Sequence, residues 1–341
     1  MKERLEYVDQ IRGIAILLVI IGHLIEFNQI GGGYNNPVFN AIYAFHMPLF
    51  FMISGYIGSK TSRVSSLNQY IPFLVKKARI LILPYLAWKL VVNQLFLTAG
   101  WGHLTSFREI ESTFLHPGLL WFLPMLFEIF IFYGLFLIFS NKLNKKNYLF
   151  IDLLLWSFIM LIIITGIFFI DKAHFTSLAL FSFSFYVGVF IAKYEGIEKL
   201  VLSRIIFLLS TVAFLIFLCH WQTAGTSIDD LLKVIISVTA FISIMNVCRR
   251  VRWNDMVNKQ LMLFGRESLV IYVVHFHLIL LKIDSLKSFN LNSFLLFVGL
   301  LVLAIFIAYL CIGFARLIQL SPLLELMLFG KKHNYHPAKT L

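Results

Sequence analysis

Sixteen consecutive residues, LLFVGLLVLAIFIAYL from Leu295 to Leu310, carry no charge, and apolar runs of this kind recur from one end of the chain to the other. A helix of roughly 20 apolar residues is what crosses a hydrocarbon core ~30 Å thick. Composition points the same way. Of the 341 residues 60% are hydrophobic and 13% charged, against about 25% charged in a soluble domain. The fold class that follows is an all-α polytopic membrane protein, with about ten transmembrane helices enclosing a polar intramembrane cavity and both termini cytoplasmic.

The pattern places spans over 11–28, 38–58, 80–99, 118–139, 148–170, 177–193, 204–221, 230–248, 266–283 and 292–319. They make one integral-membrane domain over 1–320, followed by a short basic cytoplasmic tail over 321–341. The opening MKERLEYVDQIRG mixes acids with bases and no small-residue cleavage site follows, so the first span is expected to stay in the mature protein rather than leave as a signal peptide. No internal repeat is visible, which disfavours the commoner transporter designs. Cys219, Cys248 and Cys311 fall in apolar runs without metal-like spacing and read as packing residues.

The net charge of +12 is an orientation signal. Segments sharing a side with the N-terminus hold 23 of the 29 lysines and arginines, and the positive-inside rule makes that side cytoplasmic. Nucleic acid is therefore not an expected partner; membrane lipids are. On the opposite side QIGGGYNNP (29–37) forms a glycine-rich turn able to flex near a site. Residues 100–117 are long enough for an interfacial helix carrying Trp101, Phe107, Phe114 and Leu115.

Ionisable side chains inside such spans are costly and usually functional. In RGIAILLVIIGH, Arg12 and His23 stand eleven positions apart, about three turns plus 20°, so both project from one face with a rise of roughly 16 Å. Asp9 precedes Arg12 by three and can hold its guanidinium; Glu26 follows His23 by three and can reach the imidazole. His46, Lys89, Glu128, His275 and His277 bring polar groups to the middle of four further spans. One water-accessible cavity gathering them is the economical reading. The plainer readings stand beside it: Lys89 with Glu128 as a structural pair, and the later histidines as hydrogen-bonded packing residues. In KKAR (76–79), Lys76 and Arg79 can face the same way and with Arg12 form a cationic collar for phosphates, or anchor lipid headgroups.

YVDQIRGIAILLVIIGH resembles the first span of the acyltransferase-3 family, a base, ten residues, then a histidine. YAFHMPLFFMISGY (43–56), LLWFLPMLF (119–127) and SLVIYVVHFHLIL (268–280) are similar to three later family segments, in order. The short membrane-only form is most similar to the sugar O-acetylase branch, including fucose 4-O-acetylase-like proteins. Where the family usually has two arginines, this chain has Lys76 and Arg79; lysine keeps the charge and loses the bidentate fork. No extracellular hydrolase-like module is expected after the spans.

The resemblance implies an acyltransferase that takes acetyl from cytoplasmic acetyl-CoA and places it on a hydroxyl of a surface glycan or lipid-linked precursor, in the cytoplasmic (inner) membrane of a bacterium. It implies that Arg12, Lys76 and Arg79 hold the donor's phosphates while the pantetheine arm runs inward to His23. His23 would be the general base, Glu26 its orienting partner, with a covalent acyl-histidine as the variant. His46 or His275 would stabilise the oxyanion or bind sugar. Trp121 would stack on a sugar face or pack. No metal is called for. The competing class is a proton-coupled transporter of a glycan or small polar solute, which would also carry Lys, Glu and His at mid-membrane. The lack of repeats and the Arg12–His23 stripe weigh against it.

Overall fold

In a computed structural model the regular secondary structure is helical among the residues described, which are 5–92, 118–221, 227–279 and 292–331. Seven helical segments are long and apolar enough to cross a membrane: Glu6–Asn28, Pro37–Thr61, Gly118–Leu143, Leu149–Phe169, Lys172–Lys193, Leu231–Arg250 and Ser293–Ile318. Two bent pairs, Glu195–Val201 with Arg204–Leu218 (62°) and Asp255–Arg266 with Ser268–Ile279 (81°), bring the number to nine if each pair is one span. The protein is a multi-pass membrane protein. Against the ten expected spans, the seventh and ninth are thus bent elements with an extra helix ahead of them. The third runs into residues outside those described, as do the segment expected at 100–117 and the end of the tail.

The chain divides into two units. The first comprises 1–62 and 156–311, the second 63–155 and 312–341. In the first unit α1 (Glu6–Asn28) is the inner helix: 78% of its most apolar window is buried, against 22% for α6 (Leu149–Phe169). The exposed residues of α6 are large and apolar, among them Phe158, Leu161 and Phe168, as a lipid-facing helix requires.

After α1 a tight turn, Ile30–Asn35, leads to α2 (Pro37–Tyr43) and α3 (His46–Thr61). Gly31, Gly32 and Gly33 all have positive φ (55°, 91°, 59°), a run only glycine tolerates cheaply. Asn36 caps α2, its side chain accepting from the amides of Val38 and Phe39. The break between α2 and α3 has a covalent cause. Pro48 has no N–H to donate to the carbonyl four residues back. That carbonyl, on Ala44, accepts from the Ser237 hydroxyl of α10 (Ser227–Arg250) at 3.2 Å.

Glycine sets the closest helix crossings. A Cβ on Gly55 of α3 would fall 1.9 Å from the Phe185 carbonyl of α7 (Lys172–Lys193), and one on Gly188 of α7 would fall 1.9 Å from the Met52 carbonyl. The same device joins α1 to α11 (Asp255–Arg266): added Cβ atoms on Gly13 and Gly265 would lie 2.1 Å from the Leu261 carbonyl and 1.8 Å from the Asp9 carbonyl. Small residues at such crossings let backbones approach where lipid offers no hydrophobic drive to association. At one end of this unit Glu198 of α8 (Glu195–Val201) accepts from Tyr56 (2.7 Å), Lys60 (3.3 Å) and Arg249 (3.1 Å), tying α3, α8 and α10 together. Helix α9 (Arg204–Leu218) packs on α10, where Thr211 donates to Ser243 (3.1 Å).

In the second unit α4 (Leu67–Leu86) contains Pro84 and continues as a π-helical turn, Ala87–Val92. It packs on α5 (Phe122–Leu143), where Tyr70 donates to the Ile131 carbonyl (3.1 Å). Within the α5–α6 hairpin the enclosed Asp152 accepts from Ser140 (2.7 Å) and Asn144 (2.9 Å). Residues 322–329 form a helix that lies back on α4: the Trp88 indole donates to the Leu328 carbonyl (2.8 Å).

The glycine crossings make a direct prediction. Gly188→Ala lowers the unfolding free energy by about 1–3 kcal/mol. Gly299→Ala, where the added carbon meets nothing within 4 Å inside the helix Ser293–Ile318, does not lower it and raises it by up to about 1 kcal/mol through helix propensity. Thermal unfolding of the two variants in one detergent reads the difference; equal effects would refute the close approach of α3 and α7.

Candidate active site

Helix α1 carries the two outstanding residues of the sequence, and both meet one other helix. Nη2 of Arg12 donates to Oγ of Ser268 (2.8 Å), the first residue of α12 (Ser268–Ile279). Two turns further along α12, His275 and Phe276 lie beside His23, with ring centroids 5.5 Å and 4.6 Å away. Arg12 and His23 therefore face the same neighbour, as their spacing requires. Asp9 is buried beside the Gly13–Gly265 crossing. His23 lies five residues before the end of α1 at Asn28.

His23 and Glu26 form a pair. Nδ1 of His23 donates to Oε2 of Glu26 at 3.0 Å; because a carboxylate only accepts, Nδ1 carries a proton, and in the neutral ring Nε2 is left as the acceptor. Glu26 takes two further donors. Tyr43, the last residue of α2, donates to the same Oε2 (2.6 Å). Tyr34, from the glycine turn, donates to Oε1 (2.9 Å). The side chains of His23 and Glu26 keep 15% and 21% of their surface, so the pair is sheltered without being sealed.

Neither tyrosine stands out in the sequence as a site residue. Tyr34 is 53% exposed, yet its hydroxyl reaches back eight residues, and three left-handed glycines make that return possible. Its hydrogen bond to Glu26 holds the phenol above its ordinary value of 10.0. The raised direction means the proton and the tie persist through neutral pH and are lost only as pH rises beyond the shifted value.

The other histidines of this unit differ from His23. His46 and His275 are both buried, and each donates Nδ1–H to a carbonyl one turn back in its own chain, Ile42 (2.9 Å) and Ile271 (2.8 Å). His46 also packs on Tyr43, 4.7 Å between centroids. His277 is half-buried on α12.

The remaining candidates belong to the second unit. Lys76 is exposed and Arg79 half-buried on α4. Lys77 between them is spent on the Phe130 ring, 3.6 Å from its centroid. The Arg79 carbonyl abuts Gly330, whose φ of 64° and lack of a Cβ allow the contact. Lys89 lies in the π turn with its ammonium near Gly118, and Trp121 and Glu128 are half-buried at the start of α5 and about two turns in. Among the described residues no group of three or more His, Cys, Asp or Glu side chains could hold a metal ion.

An all-helical membrane protein with a His–carboxylate pair at one helix end and an arginine three turns earlier defines a narrow class. The chain belongs to the acyltransferase-3 family: the family model, described as an acyltransferase domain, matches residues 5–313. Among curated relatives it is similar to the nodulation protein NolL of Sinorhizobium fredii, 33% identical over 147 residues, which are 40% of this chain and 37% of that protein. NolL of Mesorhizobium japonicum is 42% identical over 83 residues, 24% of this chain and 21% of that protein. The matches thus span well under half the length of these relatives. No solved structure matches the chain.

The carboxylate geometry sets an order of effects. Tyr43→Phe removes a half-buried donor from a charged acceptor and lowers stability by about 1–3 kcal/mol. Tyr34→Phe removes an exposed one and costs under about 1 kcal/mol. Chemical denaturation in mild detergent compares them; the reverse order would mean that Glu26 is held chiefly from the turn.

Proposed function

We propose that the protein moves an acyl group, acetyl foremost, from acyl-coenzyme A to a hydroxyl of a surface glycan or its lipid-linked precursor, with His23 as general base. The observation that carries the reading is the His23–Glu26 pair. Its Nδ1–H is committed to a carboxylate at 3.0 Å, which leaves Nε2 to accept a proton and supplies a counter-charge for the imidazolium.

The acceptor hydroxyl gives its proton to Nε2 of His23 as its oxygen attacks the thioester carbon. The tetrahedral adduct then expels the thiolate of coenzyme A, which recovers the proton from the imidazolium. Tyr43 holds Glu26 in place for both steps through the oxygen that orients His23, and Tyr34 braces the other oxygen before the acceptor enters. Arg12 receives a donor phosphate; it stands at the start of α12, and the free N–H groups of a helix N-terminus favour an anion there. Lys76 and Arg79 are further candidates for the phosphates, on charge and spacing. Lys89, Trp121 and Glu128 are the second unit's candidates for acceptor contacts, as His46 and His277 are in the first.

The strong bias of basic residues to one side supports cytoplasmic termini, and with them donor entry from the cytoplasm of a bacterial inner membrane. Family membership, and the catalytic geometry of His23 with Glu26, favour this reading over a solute carrier.

Thiol release from acetyl-CoA by the full chain in lipid nanodiscs, with methyl glycosides as acceptors, tests it. Acceptor-dependent release is expected, reduced about 10²–10⁴-fold by His23→Ala. Release that survives His23→Ala removes the base. Folded protein that binds a glycoside and releases no thiol removes acyl transfer from coenzyme A.

A further inference from the structure

The proposed chemistry leaves one group beside it without a task. His275 is fully enclosed, with no measurable exposure. Its Nδ1–H is committed to the Ile271 carbonyl at 2.8 Å, so in the neutral ring Nε2 is an acceptor with nothing left to donate. That Nε2 is buried and finds no hydrogen-bond partner among the described residues. Orphaned polar atoms in native interiors are rare and destabilising, and an apolar ring would fill the same space without that cost.

The orphan lies next to the base. The His275 and His23 rings are 5.5 Å apart and tilted by 37°. Phe276 packs against both, at 4.6 Å from His23 and 4.1 Å from His275. The two histidines share one arrangement: each gives Nδ1–H to a protein oxygen, Glu26 or Ile271, and so each has Nε2 to offer to a ligand hydroxyl.

Resting on the acyl-transfer reading with His23 as base, we propose that His275 determines specificity by accepting a hydrogen bond from a second hydroxyl of the acceptor, adjacent to the one that His23 deprotonates. The site then selects acceptors with two neighbouring hydroxyls, the vicinal diol of a sugar ring. Phe276, packed against both rings, turns aside to admit it. This role is the opposite of oxyanion stabilisation, which needs a donor that the His275 ring has already given to Ile271.

Two measurements on the full chain in nanodiscs test the assignment. The first follows the nitrogen-15 resonance of His275 Nε2, identified by its loss in His275→Gln, as methyl glycosides are added. An unprotonated ring nitrogen moves upfield when it accepts a hydrogen bond, and that shift is expected with glycosides that support thiol release. The second compares each glycoside with its monodeoxy analogues. Deleting the hydroxyl next to the acetylated one should lower kcat/KM about ten- to hundredfold in the unaltered protein. In His275→Phe the same deletion should change it less than about twofold, because the partner is already gone. A resonance that is upfield from the start and does not move would assign the site to an internal water and overturn the proposal. Equal deoxy losses in both proteins would overturn it as well. A shift without thiol release would leave the contact standing and overturn acyl transfer; neither shift nor release would overturn both.

Discussion

A carboxylate placed among apolar helices must be met by donors or it cannot be retained as an ion. Glu26 is where this protein meets that condition. Its three donors come from three different elements: His23 from its own helix, Tyr43 from the end of α2, and Tyr34 from the turn between them. The path of the chain from Asn28 to Phe45 follows from bringing those groups together. Three consecutive glycines let Tyr34 fold back, Asn36 starts α2 at once, and the missing N–H of Pro48 ends the continuity of α2 with α3 close to Tyr43.

The partner face of the site depends on backbone contact of a different kind. Because Gly13 and Gly265 carry no side chain, α1 and α11 touch backbone to backbone. The chain then bends by 81° into α12, and Ser268 arrives within 2.8 Å of Arg12. With that end fixed, two helical turns bring His275 and Phe276 beside His23. Arg12 is thus a strut for the elbow as well as a candidate ligand for phosphate, and a substitution there acts on both.

Much of this was legible in the sequence. The apolar runs place the spans because crossing lipid leaves a helix little freedom of length. The eleven-residue spacing puts Arg12 and His23 on one face because a helix has a fixed period, and Glu26 lies within reach of His23 for the same reason. What the pattern could not show are the contacts that depend on non-local folding. Tyr34 and Tyr43 look like ordinary aromatic residues until the turn and the break bring their hydroxyls to Glu26, although QIGGGYNN is a visible hinge signal. The helices Glu195–Val201 and Asp255–Arg266 are too short and polar to read as parts of spans, so only the bends reveal them. Residues 322–329 read as a tail, yet Trp88 and Gly330 hold them against α4.

The division of labour at Glu26 bears on how a ligand can enter. His23 and Tyr43 share Oε2, whereas Tyr34 alone takes Oε1. Moving Tyr34 away costs Glu26 one hydrogen bond, at the oxygen that does not orient the imidazole. The half-buried Tyr43 would keep the other oxygen satisfied, so the His23–Glu26 pair can stay assembled while the exposed tyrosine moves. A turn built on positive-φ glycines resists such motion little, since glycine adopts either sign of φ with similar ease. Had both tyrosines bonded the same oxygen as the histidine, opening the turn would have disturbed the base each time. Separate oxygens allow the outer contact to be exchanged for an acceptor hydroxyl while the tautomer of His23 is preserved.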